Sequence, residues 1–114
     1  DDFKRVNDTK GHVFGDRILR EFVSVIEDVL RQYDILGRIG GEEFALVLPH
    51  AGIDEAKIIA ERIRDSVEKH EFCQSIKLTA SIGLTSDYKD EMYKKADTAM
   101  FESKDRGKNI VTVY

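Results

Sequence analysis

Two adjacent glutamates follow two adjacent glycines at Gly40-Gly41-Glu42-Glu43, between the apolar residues Ile35, Leu36 and Ile39 and the run Phe44-Ala45-Leu46-Val47-Leu48. Neighbouring like charges repel, so a turn that carries them either leaves both in water or gathers a cation. Carboxylates are the hard oxygen ligands that Mg²⁺ and Mn²⁺ take, and glycine lets a ligand approach the backbone closely. Taken alone, the four residues read better as a solvated hairpin turn. A second pattern, Arg31-x-x-Asp34, sets a planar guanidinium, able to fork a phosphate, beside a carboxylate at i, i+3. That pattern alone is also common as a surface pair. The histidines His12, His50 and His70 lack metal-ligand spacing, and Cys73 has no partner of the kind that activates a thiol.

Composition narrows the function. The 114 residues suffice for one domain, 1–114, and no linker, repeat or low-complexity tract divides them. Charged residues make up 35% and hydrophobic ones 41%, which is ordinary for a soluble globular chain, and no apolar run is long enough to span a bilayer. A net charge of −4 argues against a general nucleic-acid binder, so any phosphate site must be local. One cysteine and no charged-then-apolar opening segment favour a reducing, cytoplasmic setting.

The elements that must position these residues follow from periodicity. The opening DDFKRVNDTKGH is polar and holds only Phe3 and Val6. Ile18, Leu19, Phe22, Val25, Ile26, Val29 and Leu30 then recur at helical spacing and predict a helix over about 14–32. A short strand at 35–39 and a return strand at 44–48 flank Gly40-Gly41, glycines suited to the positive φ of a tight turn. The unbroken apolar run of the return strand predicts burial on both faces. Ala56, Ile59, Ala60, Ile63 and Val67 form a second helical stripe with Asp54 as N-cap. Alternation through Ile76, Leu78, Ala80, Ile82 and Leu84 predicts a strand. A helix over about 90–105 with Met92, Ala96, Ala99 and Met100 on one face, closed by Gly107, leads to a last strand, NIVTVY. The sum is an α/β mixed sheet with flanking helices that starts one strand late.

Five strings in order, FKRVND at 3–8, GHxxGDxxL at 11–19, GGEEF at 40–44, SIG at 81–83 and AD-TAMFESKDRGKN at 96–109, resemble the GGDEF family of diguanylate cyclases over essentially the whole chain. The resemblance implies a ferredoxin-like α/β sandwich akin to polymerase palms and nucleotide cyclases. It implies condensation of two GTP into cyclic di-GMP with release of pyrophosphate, two Mg²⁺ or Mn²⁺ ions per active site, and a homodimer in which each protomer presents one GTP. By the same resemblance Glu42 is metal ligand and general base, with Glu43 tuning the site. Asn7 and Asp16 read guanine, whose N1–H and N2–H₂ donors suit a carboxylate and an amide. Lys4, Lys104 and Lys108 hold the triphosphate beside Gly40 and Gly41. Lys108 stands where the family more often has arginine, replacing a fork with a point charge. Arg31 and Asp34 match an RxxD inhibitory site for the product, with Arg62 as a further contact, and His12 packs the loop over the nucleotide.

Registered on Phe3-Lys4, the family pattern D-x-D-x-F-K makes Asp1 its second aspartate and places the first, metal-binding one before residue 1. The resemblance thus implies a domain lacking its first strand, weak or inactive alone, in a parent with an upstream sensor or receiver domain. It implies no membrane contact by the domain itself. Two alternatives stand beside this: a catalytically silent module that binds cyclic di-GMP or GTP as a regulatory sensor, and a related nucleotide-binding fragment with another product.

Overall fold

A computed structural model describes residues 1–89 and 91–114. The opening stretch is helical, where the sequence reading expects no regular element: α1 spans Phe3–Lys10 and buries Phe3 and Val6. Two apolar residues in eight give too short a periodic signal, and a helix of this length is stable only through its packing on the next. Gly11, at φ 89, turns the chain into α2, His12–Glu27. This helix buries Ile18, Leu19 and Ile26 but stops short of residue 32. Val29 N–H and Leu30 N–H donate instead to Ile26 and Glu27 three residues back, tightening the chain into the Arg31–Asp34 turn.

Strands β1 (Ile35–Gly40) and β2 (Glu43–Val47) form an antiparallel hairpin, with Arg38 opposite Phe44 and an irregularity between Arg38 and Gly40. Two expectations fail here. Neither Gly40 nor Gly41 has positive φ. Nor is β2 covered on both faces: Phe44 and Leu46 pack on the core while Val47 is 48% exposed.

Helix α3, Ile53–Lys69, buries the whole predicted stripe from Ala56 to Val67. Its N-cap is Gly52, and Asp54 sits with Glu55 in the first turn, where acids face the positive end of the helix dipole. A short 3₁₀ turn at Cys73–Ser75 follows. The expected alternation holds in burial over 76–80, with Leu78 and Ala80 inside, but not beyond, where residues 81–84 are all half-buried. Only Ile82–Leu84, β3, has a ladder partner among the described residues: it runs parallel to β4, Val111–Val113.

Helix α4, Met92–Asp105, buries Ala99 and Ser103 and leaves Met92 43% exposed, so Met92 is not on the inner face as expected. Asp90, placed by the sequence reading at its start, lies outside the described residues. The helix lies close on β3, for a Cβ on Gly83 would come within 2.0 Å of the Ala96 carbonyl oxygen and 2.2 Å of the Met100 nitrogen. Only glycine permits that approach. As expected, Gly107 closes α4 in the left-handed region, φ 113, its N–H directed to Lys104 and that of Lys108 to Ser103. Helices α1 to α3 and the 76–82 stretch enclose the core, in which Ile18, Val67 and Phe72 are almost wholly buried.

Candidate functional site

The hairpin tip, the first turn of α1 and the last turn of α4 meet at Glu42. Its Oε2 accepts the backbone N–H of Lys4 at 3.2 Å, and its Oε1 lies 3.9 Å from Lys104 Nζ. Below it opens a cleft of about 460 Å³ lined by Phe3, Lys4, Asn7, His12, Asp16, Leu19, Arg38, Gly41 and Glu42. Residues from three separate elements therefore face one space. The glycines at 40 and 41 have nothing within 4 Å of where a Cβ would stand, so they leave room beside Glu42 rather than supply a left-handed turn.

Asn7 is the most informative lining residue. Its Oδ1 is buried without a hydrogen-bond partner among the described residues. Leaving a buried acceptor unpaired costs about 1–3 kcal/mol, which a donor on a bound molecule would recover. Gly15, on α2, makes the room: a Cβ there would fall 1.7 Å from Asn7 Oδ1 and 3.3 Å from Phe3 Cζ. Asp16, the next residue, is exposed along the same wall.

The other predicted residues are placed less centrally. Glu43 is half-buried at the start of β2, paired in register with Gly40, and neither lines the cleft. Lys108 Nζ sits 2.8 Å from Asp2 Oδ1 on the surface. Asp1 accepts hydrogen bonds from Thr79 Oγ1 at 2.8 Å, Ser81 Oγ at 2.8 Å and Asn109 N–H at 3.3 Å.

Around Glu42 the described residues form no group of three His, Cys, Asp or Glu side chains able to hold a metal. They do not make a protein cage. A single carboxylate beside cationic residues does fit the way Mg²⁺ is held when a nucleotide's phosphates and water complete its shell.

Arg31 and Asp34 are bound to each other and closed. Arg31 Nε and Nη2 donate to Asp34 Oδ1 at 3.1 and 2.8 Å, and the Arg31 N–H donates to Oδ2 at 2.7 Å. Nη1 reaches Glu55 at 3.0 Å, Nη2 also reaches the Pro49 carbonyl, and the guanidinium lies 4.8 Å over the Tyr33 ring. The Asp34 side chain has no exposed surface, and the Arg31 guanidinium holds its carboxyl below the usual carboxylate range. Arg62 is exposed and makes no hydrogen bond or ion pair among the described residues, so it is not drawn into this group.

Sequence reasoning passed over Arg38 and Gly15. Arg38 Nε and Nη2 donate to the Gly41 carbonyl at 3.0 and 2.7 Å and tie down the turn before Glu42. Its position two residues ahead of the glycine pair is the only signal in the sequence.

The described strands do not join into the single mixed sheet that the sequence reading expects but form two two-stranded sheets, one antiparallel and one parallel; with the helices packed on them and the cleft beside the Gly-Gly-Glu-Glu hairpin, the arrangement is that of the palm-like nucleotidyl cyclase fold of GGDEF domains. The family described as diguanylate cyclase, GGDEF domain, matches residues 1–110, and the chain belongs to it. It is 40% identical over 123 residues to the probable diguanylate cyclase DgcT of Escherichia coli, covering 99% of this chain and 27% of that protein. The active GGEEF domain of a diguanylate cyclase from Vibrio cholerae superposes with a TM-score of 0.91 at 30% identity, over 100% of this chain and 77% of that one. The GGDEF domain of DgcB from Caulobacter crescentus, solved in complex with c-di-GMP, gives 0.86 at 32% identity, over 99% and 72%. The chain thus spans about a quarter of the length of its curated relative. Among the described residues no helix is long and apolar enough to cross a membrane.

Proposed function

We propose that this chain is the cyclase domain of a diguanylate cyclase that joins two GTP molecules into cyclic di-GMP and releases two pyrophosphates. The observation that carries the reading is the buried, unpartnered Asn7 Oδ1 in the same cleft as Asp16, Lys4 and Glu42. Guanine brings N–H donors for Asn7 and Asp16, and adenine presents a different edge. The ribose and phosphates then run toward Glu42, where Lys4 and Lys104 supply positive charge.

Glu42 is the protein carboxylate that would hold Mg²⁺ or Mn²⁺ with the phosphate oxygens. The bound ions supply neutralisation of the charge that develops as a 3′-oxygen attacks an α-phosphate. Lys104, 3.9 Å from Glu42, holds the triphosphate against the hairpin tip and stabilises the departing pyrophosphate. In this reading Glu42 also takes the 3′-hydroxyl proton, with Glu43 adjusting its charge. One cleft holds one nucleotide, so ring closure needs a second protomer facing the first. The cleavable nucleotide is GTP, which places the working domain in the cytoplasm.

The DgcB complex with c-di-GMP supports an additional product site, and we assign it to Arg31 and Asp34, with Arg62 joining when product is bound. Arg31 must give up part of its hold on Asp34, Glu55 or the Pro49 carbonyl to fork a product phosphate.

Calorimetry with GTP and ATP in the presence of Mg²⁺ tests the reading. GTP is expected to bind roughly a hundredfold more tightly, and Asp16→Ala to remove most of that ratio. Equal affinity for the two nucleotides in the unmodified protein would overturn it.

A further inference from the structure

Past the end of α4 the backbone enters the left-handed region three times in succession: Gly107 at φ 113, Lys108 at φ 65 and Asn109 at φ 53. Glycine tolerates this freely, asparagine to a degree, and lysine poorly. Such a run persists only where the surroundings over-determine it. Here they do. Asn109 N–H is shared between Ser81 Oγ at 3.2 Å and Asp1 Oδ2 at 3.3 Å, and Lys108 N–H donates to Ser103.

The Asn109 side chain is held from α3, an element that contributes nothing to the cleft lining. Arg64 Nη1 donates to Asn109 Oδ1 at 3.1 Å, and Asn109 Nδ2 donates to Glu68 Oε2. Arg64 is itself fixed by Glu61 at 2.9 Å and Glu68 at 3.2 Å, with its side chain only 20% exposed. A planar guanidinium locked by two acids is a rigid donor, and it fills the amide's acceptor in one orientation.

We propose that Arg64, acting through Asn109, is a positioning residue for Lys108: a clamp from α3 holds the left-handed turn that carries this cation to the triphosphate. The inference rests on the triphosphate role that the family resemblance implies for Lys108, whose Nζ lies 2.8 Å from Asp2 Oδ1, outside the cleft lining, and must leave that carboxylate to meet a phosphate. It adds a residue far from the hairpin tip that sets where the positive charge lies.

The test compares GTP with guanosine, which lacks phosphates, by calorimetry and NMR titration of the same variants. Lys108→Ala is expected to weaken GTP roughly tenfold and leave guanosine unchanged. Arg64→Ala and Asn109→Gly should each weaken GTP roughly fivefold, again sparing guanosine, and Arg64→Lys, which lacks the planar fork that bridges Glu61, Glu68 and Asn109, should recover little of the loss. Asn109→Gly keeps the backbone geometry while deleting the amide contacts, so it separates the clamp from strain. Adding Arg64→Ala to Lys108→Ala should cost nothing further. If Lys108→Ala weakens GTP but Arg64→Ala and Asn109→Gly leave it within twofold, or weaken both ligands equally, the clamp is refuted and the reading of the cleft survives. If Lys108→Ala itself changes nothing, the triphosphate role that the resemblance implies for Lys108 fails, and the clamp with it, while the guanine reading of the cleft stands.

Discussion

The two ends of strand β1 manage charge in opposite ways. Before the strand, Arg31 and Asp34 satisfy each other, and Glu55, Pro49 and Tyr33 take up what remains of the guanidinium. After it, among the described residues, Glu42 has one backbone donor and a lysine at 3.9 Å, and below it the buried Asn7 acceptor has no partner. A saturated group contributes to folding and resists a ligand. An unsaturated one gives up some stability and holds binding energy in reserve. The same residue classes, acids and cations within a few ångströms, thus form a closed group at one end, which a bound product must open, and an open one at the other.

The largest expected effect breaks the saturated end. Asp34→Ala would remove a fully buried carboxylate and leave the 23%-exposed Arg31 side chain without its main partner, and should lower unfolding free energy by about 2 kcal/mol. GTP affinity should stay within about twofold, since none of these residues lines the cleft. Urea unfolding with calorimetry on the same variant checks both. A stability change under about 0.5 kcal/mol would make Arg31–Asp34 an ordinary surface pair.

A smaller and opposite result is expected at the open end. Glu42→Gln removes a charge that has little to lose in folding, so stability should remain within about 0.5 kcal/mol. The gain in GTP affinity on adding Mg²⁺ should fall roughly tenfold, measured as the ratio of dissociation constants with and without the ion. Were Glu42→Gln to destabilise the fold while the Mg²⁺ effect persisted, the contrast between the two ends would be reversed.

How much of this contrast is visible in the sequence depends on whether a signal is local. The α3 stripe from Ala56 to Val67 repeats over several turns, and every member is buried as its spacing predicts. The GGEE hairpin and the Gly107 stop are equally local, and both form. Helix α1 is hidden because Phe3 and Val6 alone mark its buried face. The 76–81 stretch alternates like a strand, yet a ladder needs a partner, which periodicity does not provide. The glycines at 40 and 41 mislead for a related reason: their value lies in the empty space beside them, a property of three dimensions. In the same way, nothing adjacent in sequence links Gly15 to Asn7 or Arg64 to Asn109. The family motifs brought Lys4, Asn7, Asp16 and Glu42 forward, and the fold gathers these four on one cleft. They left unremarked Arg38, which lines the cleft and holds the Gly41 carbonyl, and Arg64, which reaches Asn109 from α3, because what each touches is set by the folded chain.

The smallest effect sharpens the comparison through pH. Asp34 is held below its ordinary value of 3.8, first by the hydrogen bond from Arg31 and then by the Arg31 N–H and charge, against the cost of burial. A depressed carboxylate binds its proton less readily folded than unfolded, so its contribution is complete above the unfolded value and is lost as pH falls through the lower folded one. Arg31 stays charged throughout. The stability difference between the wild type and Asp34→Ala should therefore be constant from about pH 5 to 8 and shrink steadily below about pH 4. Urea midpoints at a series of pH values measure it. Glu42→Gln should keep the wild-type acid drop that belongs to Asp34, because the drop originates at the saturated end of β1. A difference that grows on acidification would mean that Asp34 gains rather than loses by protonation, and that the turn before β1 is held together by something other than its ion pair.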